Sequence, residues 1–183
     1  MTAPALAQLA ARFDCTVVPA WVERLGGVPV VPLLEGGLRL LADDPVSVAR
    51  CCRRRGDIAV LEGRISRGKG WYTRSLRALG DHAGDGVEFE RVRARLGRSA
   101  ALHVANDNRA AVSAAQVALA EAEATGDRDA ITEALMLLVT AAAMLGEPDG
   151  GPHGAHALAV MREAGDDLRL ANTLLNLGVA EHN

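Results

Sequence analysis

The sequence predicts an all-α protein whose C-terminal part consists of helical hairpin repeats, an α-solenoid arrangement. Apolar residues make up 49% of the 183 residues and aromatic residues only 3%, so the core must consist mainly of alanine, leucine and valine. Alanine and leucine favour helices, and small side chains let helices pack closely. The third observation is an internal repeat, because ALAEAEATGD (118–127) aligns with ALAVMREAGD (157–166) at a shift of 39 residues.

Residues 1–45 are expected to form a small helical unit. The apolar residues of ALAQLAARF (5–13) lie on one helical stripe. A second helix is predicted to begin near Pro19 and to end at the glycine pair 26–27. The leucines of VPLLEGGLRLLADDP (31–45) predict a third helix.

Residues 46–104 are expected to form a basic helical connector. The segment VSVARCCRRRGD (46–57) predicts a short helix that stops at its glycine, because glycine weakens helices. The segment GRISRGKGWY (63–72) is rich in glycine and in basic residues, which predicts a loop or a hairpin. From Phe89 to Ala100, apolar residues recur every three or four positions and predict a further helix.

Residues 105–183 are expected to form pairs of helices. Two helices are separated by TGD (125–127), and two more by AGD (164–166), with a Gly-Pro loop at 146–154 between the pairs. In each Gly-Asp junction the glycine suits a left-handed helix end, and the aspartate suits the N-cap of the next helix. Two helices per unit of about 40 residues are typical of a helical solenoid.

The last helix carries a family resemblance. LANTLLNLGVA (170–180) resembles the first helix of a tetratricopeptide repeat (TPR), with Leu177 and Gly178 at the family's Leu-Gly position. The earlier copy has Val139 in place of the glycine, and Glu181 stands where the family usually has tyrosine. The spacing of 39 residues is similar to the longer TPR-like repeats of large bacterial regulators.

The rest of the chain is similar to the same regulators, the LuxR-type and signal-transduction ATPase activators. Residues 1–45 resemble their winged-helix-like lid in the order of leucine-rich helices. VANDNRAAVSAA (104–115) is similar to the helix that opens their repeat region, except that Asn106 replaces a histidine. The resemblance implies the TPR-like sensory or regulatory part of a transcriptional regulator, without its ATPase.

A scaffold of this kind is expected to bind a protein or a peptide and not to catalyse a reaction. Our candidates for partner binding are Arg169, Asn172 and Asn176, because amides on the first helix of a repeat can bind a peptide backbone. We expect the preceding pair to cover only part of the apolar side chains of the last helix, since the second helix of that repeat does not follow in the sequence; these side chains are Leu174, Leu175, Leu177 and Val179. We therefore expect self-association through this helix, docking of a partner there, or a truncated repeat.

The distribution of charge suggests an alternative function. Residues 46–79 carry nine basic and two acidic residues, a net charge of +7, whereas residues 121–183 carry three basic and eleven acidic residues, a net charge of −8. The basic segment could meet the acidic part of the chain or a phosphate backbone. The alternative is a nucleic-acid-binding adaptor acting through segment 50–77. Its candidate residues are Arg53, Arg54, Arg55, Arg64, Arg67 and Lys69.

No catalytic, metal or cofactor site is expected. The five histidines are scattered, and the three cysteines lack zinc-ligand spacing. Residues 63–72 carry a glycine where a phosphate-binding loop needs a hydroxyl after its lysine. Cys51 and Cys52 are expected to be ordinary buried thiols in a reducing compartment. With no membrane span and no secretory signal in view, the sequence predicts a cytoplasmic protein.

Overall fold

A computed structural model describes residues 30–147 and 152–180 of the chain. Within these ranges the protein consists of α-helices with short connections, and no β-strand is present. The helices are α1 (Val30–Leu40), α2 (Pro45–Leu61), α3 (Ile65–Leu79), α4 (Asp85–Val104), α5 (Asn108–Thr125), α6 (Arg128–Met144), α7 (Gly154–Ala164) and α8 (Asp167–Ala180). The all-helical prediction is confirmed for these residues, and the two helices predicted before residue 28 lie outside them.

The chain divides into two compact units, residues 1–94 and 95–183, and the division falls inside α4. The sequence predicted boundaries at residues 45 and 104 instead. Among the described residues, α1 packs against α2, and the side chains of Leu34 and Cys51 share one core cluster across the predicted boundary at residue 45. The predicted boundary at residue 104 coincides with the end of α4 and not with the division.

Helix α2 is longer than predicted. Asp44 caps it, since its Oδ1 accepts a backbone N–H of the first turn at 3.1 Å. The Ser47 hydroxyl also donates to this carboxylate at 2.6 Å and holds the pKa of Asp44 below its usual value. The predicted stop at Gly56 is wrong, because the helix continues for five more residues. A Cβ at Gly56 would lie 2.7 Å from Cε1 of Tyr72, so this glycine permits close packing of α3 and does not end the helix.

Helix α3 occupies most of the segment predicted as a loop or hairpin. That prediction is wrong from Ile65 onward, since Gly68 and Gly70 are both helical. A Cβ at Gly68 would lie 2.6 Å from Cγ2 of Val60 in α2, so this glycine also permits a close crossing of the two helices. The two helices run antiparallel.

In the second unit, the C-terminal half of α4 packs antiparallel to α5. The Ser99 hydroxyl donates to the Ala111 carbonyl at 2.9 Å, and Arg95 forms an ion pair with Glu121 at 2.8 Å. Small side chains dominate this packing, as the low aromatic content predicted. None of the described helices has the length and the apolar composition that crossing a membrane requires.

The two Gly-Asp junctions have the same geometry. Gly126 and Gly165 are left-handed, with φ of 70° and 66°. Asp127 and Asp166 each accept the backbone N–H three residues further on, at 3.0 Å in both cases. The predicted roles of both residue types are confirmed at both sites.

Candidate functional site

The three residues predicted to bind a partner lie on one stripe of α8. Arg169, Asn172 and Asn176 are spaced i, i+3 and i+7, which aligns them along the helix. Asn172 is exposed, whereas Arg169 and Asn176 are partly buried. The structure therefore brings the three together on one face, with Asn172 as its most accessible member.

The two ends of this stripe contact α6. The side-chain amide of Asn176 donates from Nδ2 to Oγ1 of Thr140 at 2.9 Å. The guanidinium group of Arg169 lies 3.9 Å from the carboxylate of Asp129 and 3.4 Å from that of Asp166. Because both contacts advance along α6 and α8 in the same direction, the two helices are parallel. We call the surface formed by Asp129, Thr140, Arg169, Asn172 and Asn176 the α6–α8 face.

The α6–α8 face is polar, and its members differ in what they can do. The Asn176 amide is engaged between the helices, so it fixes their register. The Asn172 amide has no hydrogen-bond partner among the described residues, and it can both donate to and accept from a peptide group. Arg169 forms ion pairs with two carboxylates at the surface. The face can therefore form hydrogen bonds with a polypeptide backbone.

A groove of about 170 Å³ lies on the other side of α6, against α5 and α7. Its lining combines the apolar side chains of Ile131 and Val160 with the charged Glu123, Arg128 and Glu163. It is smaller than a typical small-molecule site of roughly 300 Å³ or more. Its size suits one side chain of a partner better than a metabolite.

Helix α8 exposes apolar side chains beside the α6–α8 face. Leu168 and Leu175 are 73% and 67% exposed. Leu174 is 47% exposed, whereas Leu135, the residue 39 positions earlier, is fully buried. The predicted partial exposure is confirmed for Leu174 and Leu175, and Leu177 is partly buried. The side chain of Val179, the fourth residue of the predicted set, lies outside the described ones.

The arginines at the centre of the basic segment are buried. Arg53, Arg54 and Arg55 are 6%, 3% and 7% exposed. Arg53 donates from Nε to Oε2 of Glu90 at 2.8 Å, and the Glu90 side chain is fully buried. Arg54 lies 3.8 Å from the carboxylate of Asp57. These charges are neutralised inside the first unit, so a phosphate would have to displace Glu90 or Asp57 to reach them.

Arg55 is held by two groups. Its Nη1 donates to Oε1 of Glu35 at 2.5 Å, and its guanidinium carbon lies 4.4 Å from the centre of the Trp71 ring. Arg74 lies over the same ring at 5.3 Å. The Trp71 ring is therefore already in contact with two cations of the protein itself.

The remaining predicted basic residues lie nearer the surface. Arg64 and Arg67 are exposed and Lys69 is partly buried. Arg64 forms an ion pair with the neighbouring Glu62. The prediction left out Arg74 and Arg77, which are exposed on α3 together with Arg67. Their spacing of seven and three residues would have identified this surface if the segment had been interpreted as a helix.

Asp57, the carboxylate that pairs with Arg54, has a shifted pKa. Burial raises the pKa of Asp57 above its usual value, while Arg53 and the Tyr72 hydroxyl act in the opposite direction. The hydroxyl donates to Asp57 Oδ1 at 2.7 Å. This carboxylate links α2 to α3 and lies among groups that stabilise the fold.

Cys51 and Cys52 are fully buried, as predicted, and both thiols are free. Burial, aided by the neighbouring Cys52, raises the pKa of the Cys51 thiol to about 11. Burial likewise raises the pKa of Cys52. Cys15 lies outside the described residues. No group of three or more histidine, cysteine or acidic residues that could hold a metal ion occurs in the described ranges.

The sequence matches no protein-family model and no curated protein.

Proposed function

We propose that the protein is a non-enzymatic interaction scaffold that binds a protein or a peptide through the α6–α8 face. The observation that carries this proposal is the parallel stacking of α8 on α6, fixed by the contacts of Asn176 with Thr140 and of Arg169 with Asp129. The exposed Asn172 lies between these two points. Polar groups held at fixed spacing on two rigid helices suit recognition of a polypeptide.

The repeated Gly-Asp junctions support a TPR-like solenoid as the architecture behind this scaffold. Each places a left-handed glycine and a capping aspartate 39 residues from its counterpart, which is the spacing expected for successive repeats. We include in the proposal a regulatory role in the cytoplasm, similar to that of the TPR-like part of LuxR-type regulators. The exposed leucines of α8 add a proposed route to self-association.

A peptide-display selection on the immobilised full chain tests the scaffold function. Enriched peptides are then titrated against the wild type, Asn172→Ala and a control, Gln116→Ala, which removes an exposed amide from α5. Losing one hydrogen bond of about 1 kcal/mol should weaken binding about five-fold in Asn172→Ala and leave Gln116→Ala unchanged. Failure to enrich any peptide, or equal affinities of the three proteins, would refute the proposal.

The second candidate function is a nucleic-acid-binding adaptor acting through segment 50–77. The observation that favours it is the group of exposed basic side chains on and before α3, which includes Arg64 and Arg67. Retention of the protein on immobilised DNA that falls steeply as salt rises would support this function. Replacing Arg53, Arg54 and Arg55 is not a suitable test, because these buried residues hold the first unit together.

A further inference from the structure

Three arginines lie along the exposed side of α3. Arg67, Arg74 and Arg77 are spaced i, i+7 and i+10, so they lie on one face of the helix over about 15 Å. Gly70 and Trp71 lie on the same face between them. We call these five residues the α3 stripe.

The charge of the α3 stripe is not balanced within its own segment. Residues 63–80 contain five basic residues (Arg64, Arg67, Lys69, Arg74 and Arg77) and no acidic residue. In the part of the chain that the structure describes, no carboxylate lies within ion-pair distance of Arg67, Arg74 or Arg77. This distinguishes the stripe from Arg53 and Arg55, whose charges are paired inside the first unit.

The local shape of the stripe favours a close approach of a ligand. No atom of the described residues lies within 4 Å of the position that a Cβ would take at Gly70, so this point of α3 is open on that side. Trp71 next to it is partly buried and holds the Arg74 guanidinium over its ring at 5.3 Å. The indole therefore positions an arginine and is not itself a free stacking surface. The accessible polar groups of the stripe are arginine guanidinium groups, which bind phosphate oxygens.

The composition of the stripe argues against a lipid surface. A helix that lies in a membrane interface needs a broad apolar face. The buried face of α3, which includes Gly68, Tyr72 and Leu79, packs within the first unit and is not available. Arginine forks bind phosphate oxygens in a bidentate manner, and several of them on one helix face can contact more than one phosphate of a chain.

We infer that the α3 stripe binds the phosphodiester backbone of a nucleic acid without reading its bases. This inference rests on the second candidate function and is independent of the scaffold function in the second unit. Binding depends on the charges next to the ligand, because interactions between exposed charges are screened beyond about 8–10 Å.

The test is fluorescence anisotropy of the full chain with labelled 20-mers of duplex DNA, single-stranded DNA and single-stranded RNA, at several salt concentrations. The stripe variant carries R67A, R74A and R77A. The matched control carries R98A, R109A and R162A, which remove three exposed arginines from the second unit. The stripe variant should weaken binding at least ten-fold at low salt and lower the salt slope by roughly two to three, because each phosphate contact contributes about 0.9.

The possible failures are distinguishable. If the wild type binds none of the three probes at low salt, the second candidate function fails and the inference fails with it. If the wild type binds but the stripe variant behaves like the control, the site is elsewhere and only the inference is overturned. Binding to anionic phospholipid vesicles or to polyglutamate, with no binding to the 20-mers, also overturns it. Differences among the three probes identify which nucleic acid is preferred.

Arg74 also contacts Trp71, so the triple variant is checked by circular dichroism and thermal unfolding. If it unfolds, the double variant R67A/R77A replaces it, because these two side chains make no ion pair in the described residues. The double variant should lower the salt slope by roughly two, again because each phosphate contact contributes about 0.9. An unchanged slope overturns the inference.

Discussion

Arg53 and Glu90 form a buried ion pair between α2 and α4. The Nε of Arg53 lies 2.8 Å from Oε2 of Glu90, and the Glu90 side chain is fully buried. Arg50 donates to the other carboxylate oxygen at 2.6 Å. One acid thus compensates two arginines of the basic segment.

Replacing Glu90 by Gln should destabilise the protein by about 3–5 kcal/mol, because it leaves buried arginine charge without compensation. The measurement is the free energy of unfolding from urea denaturation. Glu88→Gln, on the same helix at a partly buried position, is the control and should change stability by less than about 0.5 kcal/mol. Similar values for the two variants would contradict the proposed role of the pair.

The glycines of α3 provide a matched test of helix packing. Gly68→Ala should destabilise by about 1–3 kcal/mol, because the new Cβ would lie 2.6 Å from Cγ2 of Val60. Gly70→Ala should stabilise by about 0.5–1 kcal/mol, because its position is open and alanine favours a helix. Thermal unfolding of the two variants measures this difference in sign. If this segment were a loop, as its composition suggested, the two glycines would respond alike.

Asp57 should make part of the stability depend on pH. Burial raises its pKa in the folded state, so the folded protein holds this proton more tightly than the unfolded chain, whose value is near 3.9. The contribution of this proton to the free energy of unfolding is complete below about pH 3.9, and it is lost as the pH rises toward the pKa of Asp57 in the folded protein. The stability of the wild type minus that of Asp57→Asn should therefore fall as the pH rises above about 4. Urea denaturation of both proteins across this pH range measures the difference in their stability. A difference that rises with pH would show that the ion pairs of Asp57 outweigh its burial.

The thiols of Cys51 and Cys52 should react slowly in the folded protein. A pKa of about 11 in place of 9.0 lowers the thiolate fraction of Cys51 about 100-fold at pH 8, and full burial also blocks access. The measurement is the rate of reaction with a disulfide reagent in a Cys15→Ser background, with and without denaturant. Rapid reaction of the native protein would mean that α2 opens readily.

The N-cap at Asp127, in the Gly-Asp junction before α6, should contribute to the stability of the protein. Asp127→Ala removes the hydrogen bond that the carboxylate accepts from the backbone at 3.0 Å, and we expect a loss of about 1 kcal/mol. Asp127→Asn keeps a capping side chain and should lose much less. Denaturant unfolding distinguishes the two, and equal losses would show that the cap contributes nothing specific.

The sequence predicted the helices and junctions that depend on neighbouring residues. The left-handed glycine at position 126 and the cap at Asp127 are signals within three or four residues. It failed at Gly56 and Gly68, where composition suggested a helix end and a loop. Both glycines meet a side chain of another helix, and no local pattern carries that information.

The sequence by itself thus determined the all-helical class, the 39-residue repeat of junctions and the position of the basic segment. Only the tertiary structure decided which charges remain at the surface. Arg53 is buried because Glu90 approaches from 37 residues away, whereas Arg67 lies on the exposed side of α3. Helix caps and apolar periodicity involve residues three or four positions apart, so they can be recognised in the sequence. Burial of charge depends on packing between distant segments, which the order of residues does not display.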